Sequence, residues 1–386
     1  MTNDEIDIFL CAGLRNGTIE WPAAMPEALA QRIVAFADFH GIASLLHARL
    51  APCEGVPRLV REGLRDCAIG WAMRELGEKQ ALACLIPALV RRGVRPLLFK
   101  GTALAYSHYS DPALRQRADT DIFVGRVERT AAYETLTELG WSNASKMTTE
   151  VSSHQASFSF DAPGDATIHV DLHWRISNSA VLHRLFEHDD LWNRSVRLPS
   201  LHPLARGANH VDALLIACMH RLVHLRAPYY FEGSARFVPD RLIWLYDILR
   251  LTKTFTPADW AEFEQRACEK GLSDACRDGL LSAKARLGAL YPETVLDARA
   301  RSSSAQATAT YLRASWLRRE WMDFRAVEGI SGKLRFLVEV IFPPAEYMRE
   351  RYGGCGRRWL PWLYLRRAVG GVSKRLRGRP AETGKR

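Results

Sequence analysis

Three acids on short apolar runs are the side chains in this sequence best placed to do chemistry. Asp119 and Asp121 lie in Ala118-Asp119-Thr120-Asp121-Ile122-Phe123-Val124, and Asp171 lies in Thr167–Trp174. In a strand, residues two apart share a face, so Asp119 and Asp121 project together while Thr120 points away. In the later run Ile168, Val170, Leu172 and Trp174 form an apolar face, and Thr167, His169, Asp171 and His173 form a polar one. If the two strands are neighbours, three carboxylates converge. Clustered carboxylates repel and resist ionisation unless a cation neutralises them. Mg²⁺ or Mn²⁺ suits such a set, because hard cations prefer oxygen ligands and keep positions open for phosphate oxygens. Such ions can serve an in-line displacement at phosphorus. Upstream, Lys100-Gly101-Thr102 offers what a triphosphate needs: a glycine that lets backbone N–H groups approach, a hydroxyl, and a helix N-terminus. Arg115 and Arg117, in the loop between, are candidate phosphate contacts.

These residues need a scaffold, and the texture of the chain supplies one. Residues 1–90 have helical spacing, broken by Pro22, Pro26, Pro52 and Pro57, with Pro87 expected to kink or end the last helix. At Gly93 the texture changes. Val94–Phe99 reads as a buried strand, Ala103–Tyr109 as the first turns of a helix, Ala118–Val124 as a second strand and Arg126–Leu139 as a helix stopped by Gly140. Ser157–Phe160 and Thr167–Trp174 read as further strands. Helical spacing returns from Val211 to about Leu290, where Pro292 closes it. A lone DxD or a lone KGT is a weak signal. The ordered set (strand, KGT, helix, basic loop, DxD strand, helix, later strand acid) is far more specific.

That ordered set resembles the polymerase-β-type nucleotidyltransferase superfamily. The resemblance rests on Phe99-Lys100-Gly101-Thr102-Ala103-Leu104, Arg117–Val124 and His169-Val170-Asp171-Leu172-His173-Trp174, and is closest to the bacterial uncharacterised nucleotidyltransferases. It runs from about residue 30 to 300 and includes Ala213–Leu225 and Arg241–Ile248. It implies an α+β protein: a small mixed β-sheet core flanked by N-terminal and C-terminal helical blocks. The expected segments are 1–92 (helical), 93–205 (nucleotidyltransferase core), 206–345 (helical) and 346–386 (basic aromatic tail). It also implies transfer of a nucleoside monophosphate from an NTP to a hydroxyl or phosphate acceptor that the residues do not identify. Asp119, Asp121 and Asp171 stand where the metal ligands stand, and Gly101-Thr102 where a Gly-Ser pair meets the triphosphate. Thr102 keeps the hydroxyl. The 18-residue step from Gly101 to Asp119 is longer than the commonest spacing. Rival readings are a toxin-like enzyme modifying RNA or protein, and a non-catalytic nucleotide-binding accessory of a membrane-associated polysaccharide or peptide-modification pathway.

Other candidates weigh less. His169 and His173 flank Asp171 as pocket residues or as hydrogen-bonded supports. His220 and His224 have i,i+4 metal-ligand spacing but lack a neighbouring Glu and a third ligand, which argues against zinc. Asp247, inside an apolar helix, calls for a partner such as Arg221, Arg241 or Arg250, or else forms a pocket wall.

Charge distribution bounds the partners. The 386 residues carry a formal net charge of +10, yet residues 351–386 alone hold 11 Lys/Arg against one acid, Glu382. The rest of the chain is neutral, so a nucleic-acid-binding body is not implied. In the tail, Trp359, Trp362 and Tyr364 stand beside a cationic run. Residues 355–386 therefore fit an anionic membrane surface or a helix packed on the body, with nucleic acid a third option. The eight scattered cysteines lack any CxxC pair and read as free thiols. The acidic amino terminus is unlike a signal peptide, and no apolar stretch reaches 18 residues. The expected location is cytoplasmic, peripheral at the inner membrane face if the tail binds lipid.

Overall fold

A computed structural model shows an α+β protein built around one mixed sheet. It describes residues 1–386 apart from 17–18, 23, 144–152, 163–165, 227–228, 232–233, 237–239, 297–306, 343–344, 346–347, 350–358 and 368–386. Four helices open the chain: α1 (Asn3–Asn16), α2 (Glu27–Phe39), α3 (Ala43–Leu50) and α4 (Arg58–Arg91). The core follows as β1 (Leu97–Phe99), α5 (Lys100–His108), β2 (Thr120–Phe123), α6 (Arg129–Glu138), β3 (Ser142–Asn143), β4 (Gln155–Ala162) and β5 (Ala166–His173). It continues with α7 (His188–Asn193), β6 (Val196–Arg197) and β7 (Arg206–Gly207). The second helical block is α8 (His210–Arg226), a hairpin of β8 (Tyr229–Phe231) and β9 (Ser234–Arg236), α9 (Leu242–Thr252), α10 (Pro257–Glu269) and α11 (Ser273–Leu287). Shorter helices α12 (Glu293–Leu296) and α13 (Ala307–Arg313) lead to α14 (Trp316–Ala326) and α15 (Gly329–Ile341).

The sheet order is β3-β4-β5-β2-β1-β7-β6. β2 is antiparallel to β1 and parallel to β5, while β4 is antiparallel to β5. Alternation along the strands divides the side chains between two faces. Leu98, Ile122, Val170 and Leu172 go to one face, where they pack with Leu82, Leu85, Ile86 and Leu89 of α4. Leu97, Phe99 and Phe123 go to the other and share a core with α8, α9 and α11. The polar members of that second face lie between the sheet and the helical block.

Of the two outcomes expected at Pro87, a kink or an end, the helix does not end there and continues to Arg91. Proline costs one backbone hydrogen bond, and the apolar stripe buried against the sheet on both sides of Pro87 holds the helix together. The four proline breaks in residues 1–57 do separate helices: Pro26 precedes α2 and Pro57 precedes α4. Cys11, Cys218 and Cys276 are buried free thiols, and Cys84 is an exposed one.

Candidate active site

β2 and β5 lie side by side with Asp121 opposite Asp171. Since Phe99 faces Asp121 and Ser157 faces Asp171, the row Phe99–Asp121–Asp171–Ser157 crosses four strands on one face. The next row places His173 between Phe123 and Gln155. Asp121, Asp171 and His173 each offer a ligand atom within 4.8 Å of the other two.

Each carboxylate is held differently. Asp171 accepts from Ser157 Oγ at 2.6 Å and from Gln155 Nε2 at 3.2 Å, both on β4, which aims its oxygens along the sheet. Asp121 meets Lys100 Nζ at 2.6 Å and His173 Nε2 at 2.9 Å through Oδ1. Burial alone would raise its pKa, but the Lys100 ammonium and the His173 contact hold it well below the usual carboxylate range. Asp119 has no such partner among the described residues. Burial, then the charges of Asp121 and Asp171, push it up to about 7 against the pull of Lys100. Three acids therefore share one strong cation, and the shortfall appears as a proton on Asp119. A divalent cation would displace that proton, so this donor set fits a hard metal ion.

Lys100 reaches Asp121 by an unusual route. Its φ is +54°, the left-handed region that non-glycine residues rarely enter. The backbone turns there from β1 into α5, and the side chain lies 4.8 Å over the Phe99 ring with its amine on Asp121. Burial lowers the pKa of that amine, but Asp121, Asp119 and Asp171 more than offset this and raise it, so the ammonium persists. Strain at such positions costs roughly 1–3 kcal/mol and collects at functional sites.

Several expected phosphate contacts are engaged elsewhere. Arg115 pairs with Asp247 through Nη2 at 2.7 Å and Nε at 2.9 Å. Arg117 Nη2 lies 2.6 Å from Glu75 and 2.9 Å from Glu78, both on α4. Both guanidinium groups are buried in these ion pairs. Their role is to hold the loop behind Gly101, where an added Cβ would meet Arg115 Nη1 and Arg117 Cβ at 3.4 Å. The Thr102 hydroxyl is fully buried and hydrogen-bonds that of Thr120 at 3.0 Å, which turns it away from the acids. Asp247 takes Arg115 and the Tyr109 hydroxyl as partners, in place of the three arginines expected. Arg221 goes instead to Asp240 and Asp278. His169 is exposed on the carboxylate face, two residues from Asp171. His173, by contrast, is buried edge-on against Phe99 at 5.1 Å.

A family model described as uncharacterised nucleotidyltransferase matches residues 26–288, well over half of the chain. The chain belongs to that family. Nothing among curated proteins matches it. The matched span of this nucleotidyltransferase covers α2 through α11, and so includes the whole sheet and the helical block facing it.

The helical block brings two residues that sequence reasoning set aside. The His220 and His224 rings on α8 are tilted against each other with centroids 4.2 Å apart, and Trp244 lies 5.6–5.7 Å from both. Burial lowers both histidines, and both also feel the charges of Lys100 and Asp121. Their i,i+4 spacing was visible in the sequence; that their helix shares a core with Phe99 and Phe123 was not. Gln155 and Ser157, which position Asp171, carried no signal beyond lying on the strand paired with it.

Proposed function

We propose that the protein transfers a nucleoside monophosphate from an NTP to a hydroxyl or phosphate acceptor, using Mg²⁺ or Mn²⁺ held by Asp119, Asp121 and Asp171. The observation that carries this reading is the in-register pairing of Asp121 with Asp171, with ligand atoms of these two acids and His173 within 4.8 Å of one another. Bound there, the cation would supply charge neutralisation at the α-phosphate and favour the deprotonated acceptor oxygen. In the reaction a bond forms between that oxygen and the α-phosphorus, and the bond from the α-phosphorus to the bridging oxygen breaks, releasing pyrophosphate.

The chain's own part is positioning and electrostatics. Ser157 and Gln155 fix the rotamer of Asp171. Lys100 and His173 keep Asp121 ionised. Gly101 brings the start of α5 close to the acids, with the Arg115 and Arg117 ion pairs bracing the loop behind it. His220 and His224 on α8 are buried close enough to feel the charges of Lys100 and Asp121. The decisive test is incubation with α-labelled NTPs, Mg²⁺ or Mn²⁺ and cell extract, comparing wild type with Asp119→Ala/Asp121→Ala. Label moved only by the wild type supports the reading and leads to the acceptor. Equal labelling by both overturns it.

A specific observation also favours a membrane surface as partner. On α15, Ile330, Leu334, Val338 and Ile341 are exposed along one side. A helical segment over 360–367 exposes Trp362 and Leu365, with Trp359 just before it. The tail beyond 367 lies outside the described residues, but its sequence is strongly basic. Exposed apolar and aromatic side chains beside a cationic run suit anionic headgroups. No single described helix is long and apolar enough to cross a bilayer, so this contact is with the surface. Flotation with anionic liposomes should be lost on deleting 355–386 and weakened by Ile330→Asp/Leu334→Asp. Unchanged flotation of both would remove the anchor.

A further inference from the structure

A large cleft among the described residues lies away from the glycine turn. β1 and β2 are antiparallel, so Lys100–Thr102 sit at the end of β2 where Asp119 enters. The cleft opens past the other end, where β2 runs out toward Arg126 and β5 into Trp174 and Arg175. It measures about 920 Å³, room for a metabolite-sized ligand. The segment joining α14 to α15, Ala326 to Glu328, forms its far wall.

Its lining is cationic. Four arginines face it: Arg126, Arg129, Arg175 and Arg184. The acids facing it are Glu187 and Glu328, and each is already taken. Arg175 Nη1 lies 2.8 Å from Glu187, and Arg184 Nη2 lies 2.9 Å from Glu328. Neither Arg126 nor Arg129 has a carboxylate partner among the described residues. The Arg129 guanidinium carbon lies over the Trp174 ring, 5.0 Å from its centroid. A cation–π contact of this kind orients the guanidinium while leaving its N–H fork unspent. Two histidines complete the wall. His154 and His183 pack edge-on at 4.9 Å, and burial together with nearby arginines lowers both, to about 4 and about 3. They are neutral at pH 7, and His154 Nε2 and His183 Nδ1 have no hydrogen-bond partner among the described residues. His154 itself is more than nine-tenths buried.

Like charges gathered around a void repel, and unpaired buried ring nitrogens cost free energy. Both costs are relieved by one kind of ligand: a compact dianion with several acceptor oxygens and no proton to give. A carboxylate carries one charge, whereas a phosphate monoester carries nearly two at pH 7. We propose that this cleft is a binding site for a phosphate monoester, with Arg126 and Arg129 as its principal contacts and His154 and His183 as neutral hydrogen-bonding partners. The site stands apart from the proposed nucleotide turn and does not depend on the transferase reading. The monoester belongs either to a soluble metabolite or to a lipid headgroup.

The test uses the full-length protein in EDTA, which keeps metal-dependent nucleotide binding silent. Glycerol 3-phosphate is titrated calorimetrically, and phosphatidylcholine vesicles with and without phosphatidic acid are tested by flotation. Saturable binding of glycerol 3-phosphate assigns the soluble source. Binding only to phosphatidic acid vesicles, retained after deletion of 355–386, assigns the lipid source. In either case Arg126→Glu/Arg129→Glu should weaken affinity about tenfold or more, while Asp119→Asn/Asp121→Asn should leave it unchanged. Both arginines lie at the surface without acidic partners, so an unchanged melting temperature is expected; Arg126→Gln/Arg129→Gln serves if the double reversal does not fold. The proposal fails if wild type binds neither probe, or if the substituted protein binds as well as wild type.

Discussion

Two acid clusters beside α5 have different charge balances. In the first, Glu75 and Glu78 enclose Arg117, Arg74 also pairs with Glu78, the Tyr106 hydroxyl donates to Glu75, and Asp247 encloses Arg115. Each buried acid there has a cation or a donor in place. In the second, Asp119, Asp121 and Asp171 share Lys100, and burial with the neighbouring acids pushes Asp119 up to about 7. Both clusters are costly to bury. The balanced one locks a loop to the long helix beneath it. The unbalanced one carries a standing deficit of positive charge that only a ligand can make good. Charge balance, more than burial, separates scaffold from site.

The sharpest way to break this contrast is to neutralise one member of each cluster. Asp121→Asn should lower nucleotidyl transfer by at least about a hundredfold, with a melting temperature within a few degrees of wild type. Arg117→Ala should do the reverse: a loss of roughly 3–5 kcal/mol in stability, because Glu75 is left buried without its cation and Glu78 keeps only Arg74. Denaturant unfolding and a labelled-NTP assay on the same two proteins check both. Replacing the whole balanced set, Arg117→Met with Glu75→Leu and Glu78→Leu, should restore most of the lost stability.

Acidity provides the next test. Burial lowers His40, His108, His154, His183 and His224 to between about 3 and about 4, and lowers His220 as well. Between pH 6.5 and that range the unfolded chain binds protons that the folded chain refuses. Stability should therefore fall as pH drops below about 6.5, by up to about 1.4 kcal/mol per pH unit for each histidine. Asp119 opposes this by a single proton, since its folded value lies above its unfolded one. A melting series from pH 7.5 to about 4 that stayed flat would contradict the burial of these rings.

A smaller effect should follow metal addition. Mg²⁺ or Mn²⁺ should raise the melting temperature of wild type through binding to the folded state, and Asp119→Asn/Asp121→Asn should not respond. Smallest is the strain at Lys100. Lys100→Gly and Lys100→Ala both lose the Asp121 contact, but the glycine variant should be more stable by about 1 kcal/mol, since it tolerates φ +54°.

Much of this arrangement could be read along the chain. Alternation put Asp119 and Asp121 on one face and Asp171 on the polar face of its own strand, and KGT marked where β1 turns into α5. The short strands β3, β6 and β7, two residues each, were missed, because two residues carry no period. Arg115 and Arg117 were read as phosphate contacts because a loop between two motifs exposes nothing about depth; their acids lie 132 residues ahead in one case and on a helix from an earlier block in the other.

What the chain order alone determined is local: which side chains share a face, where the backbone must turn, and that a basic aromatic tail follows a neutral body. Those properties depend on the period of the backbone and on the residue types within a few positions. Which acids receive a cation, which histidines on α8 feel their charges, and that four arginines surround a cleft at the far end of the sheet were decided only by packing. Charge compensation acts through space between groups that the sequence keeps far apart.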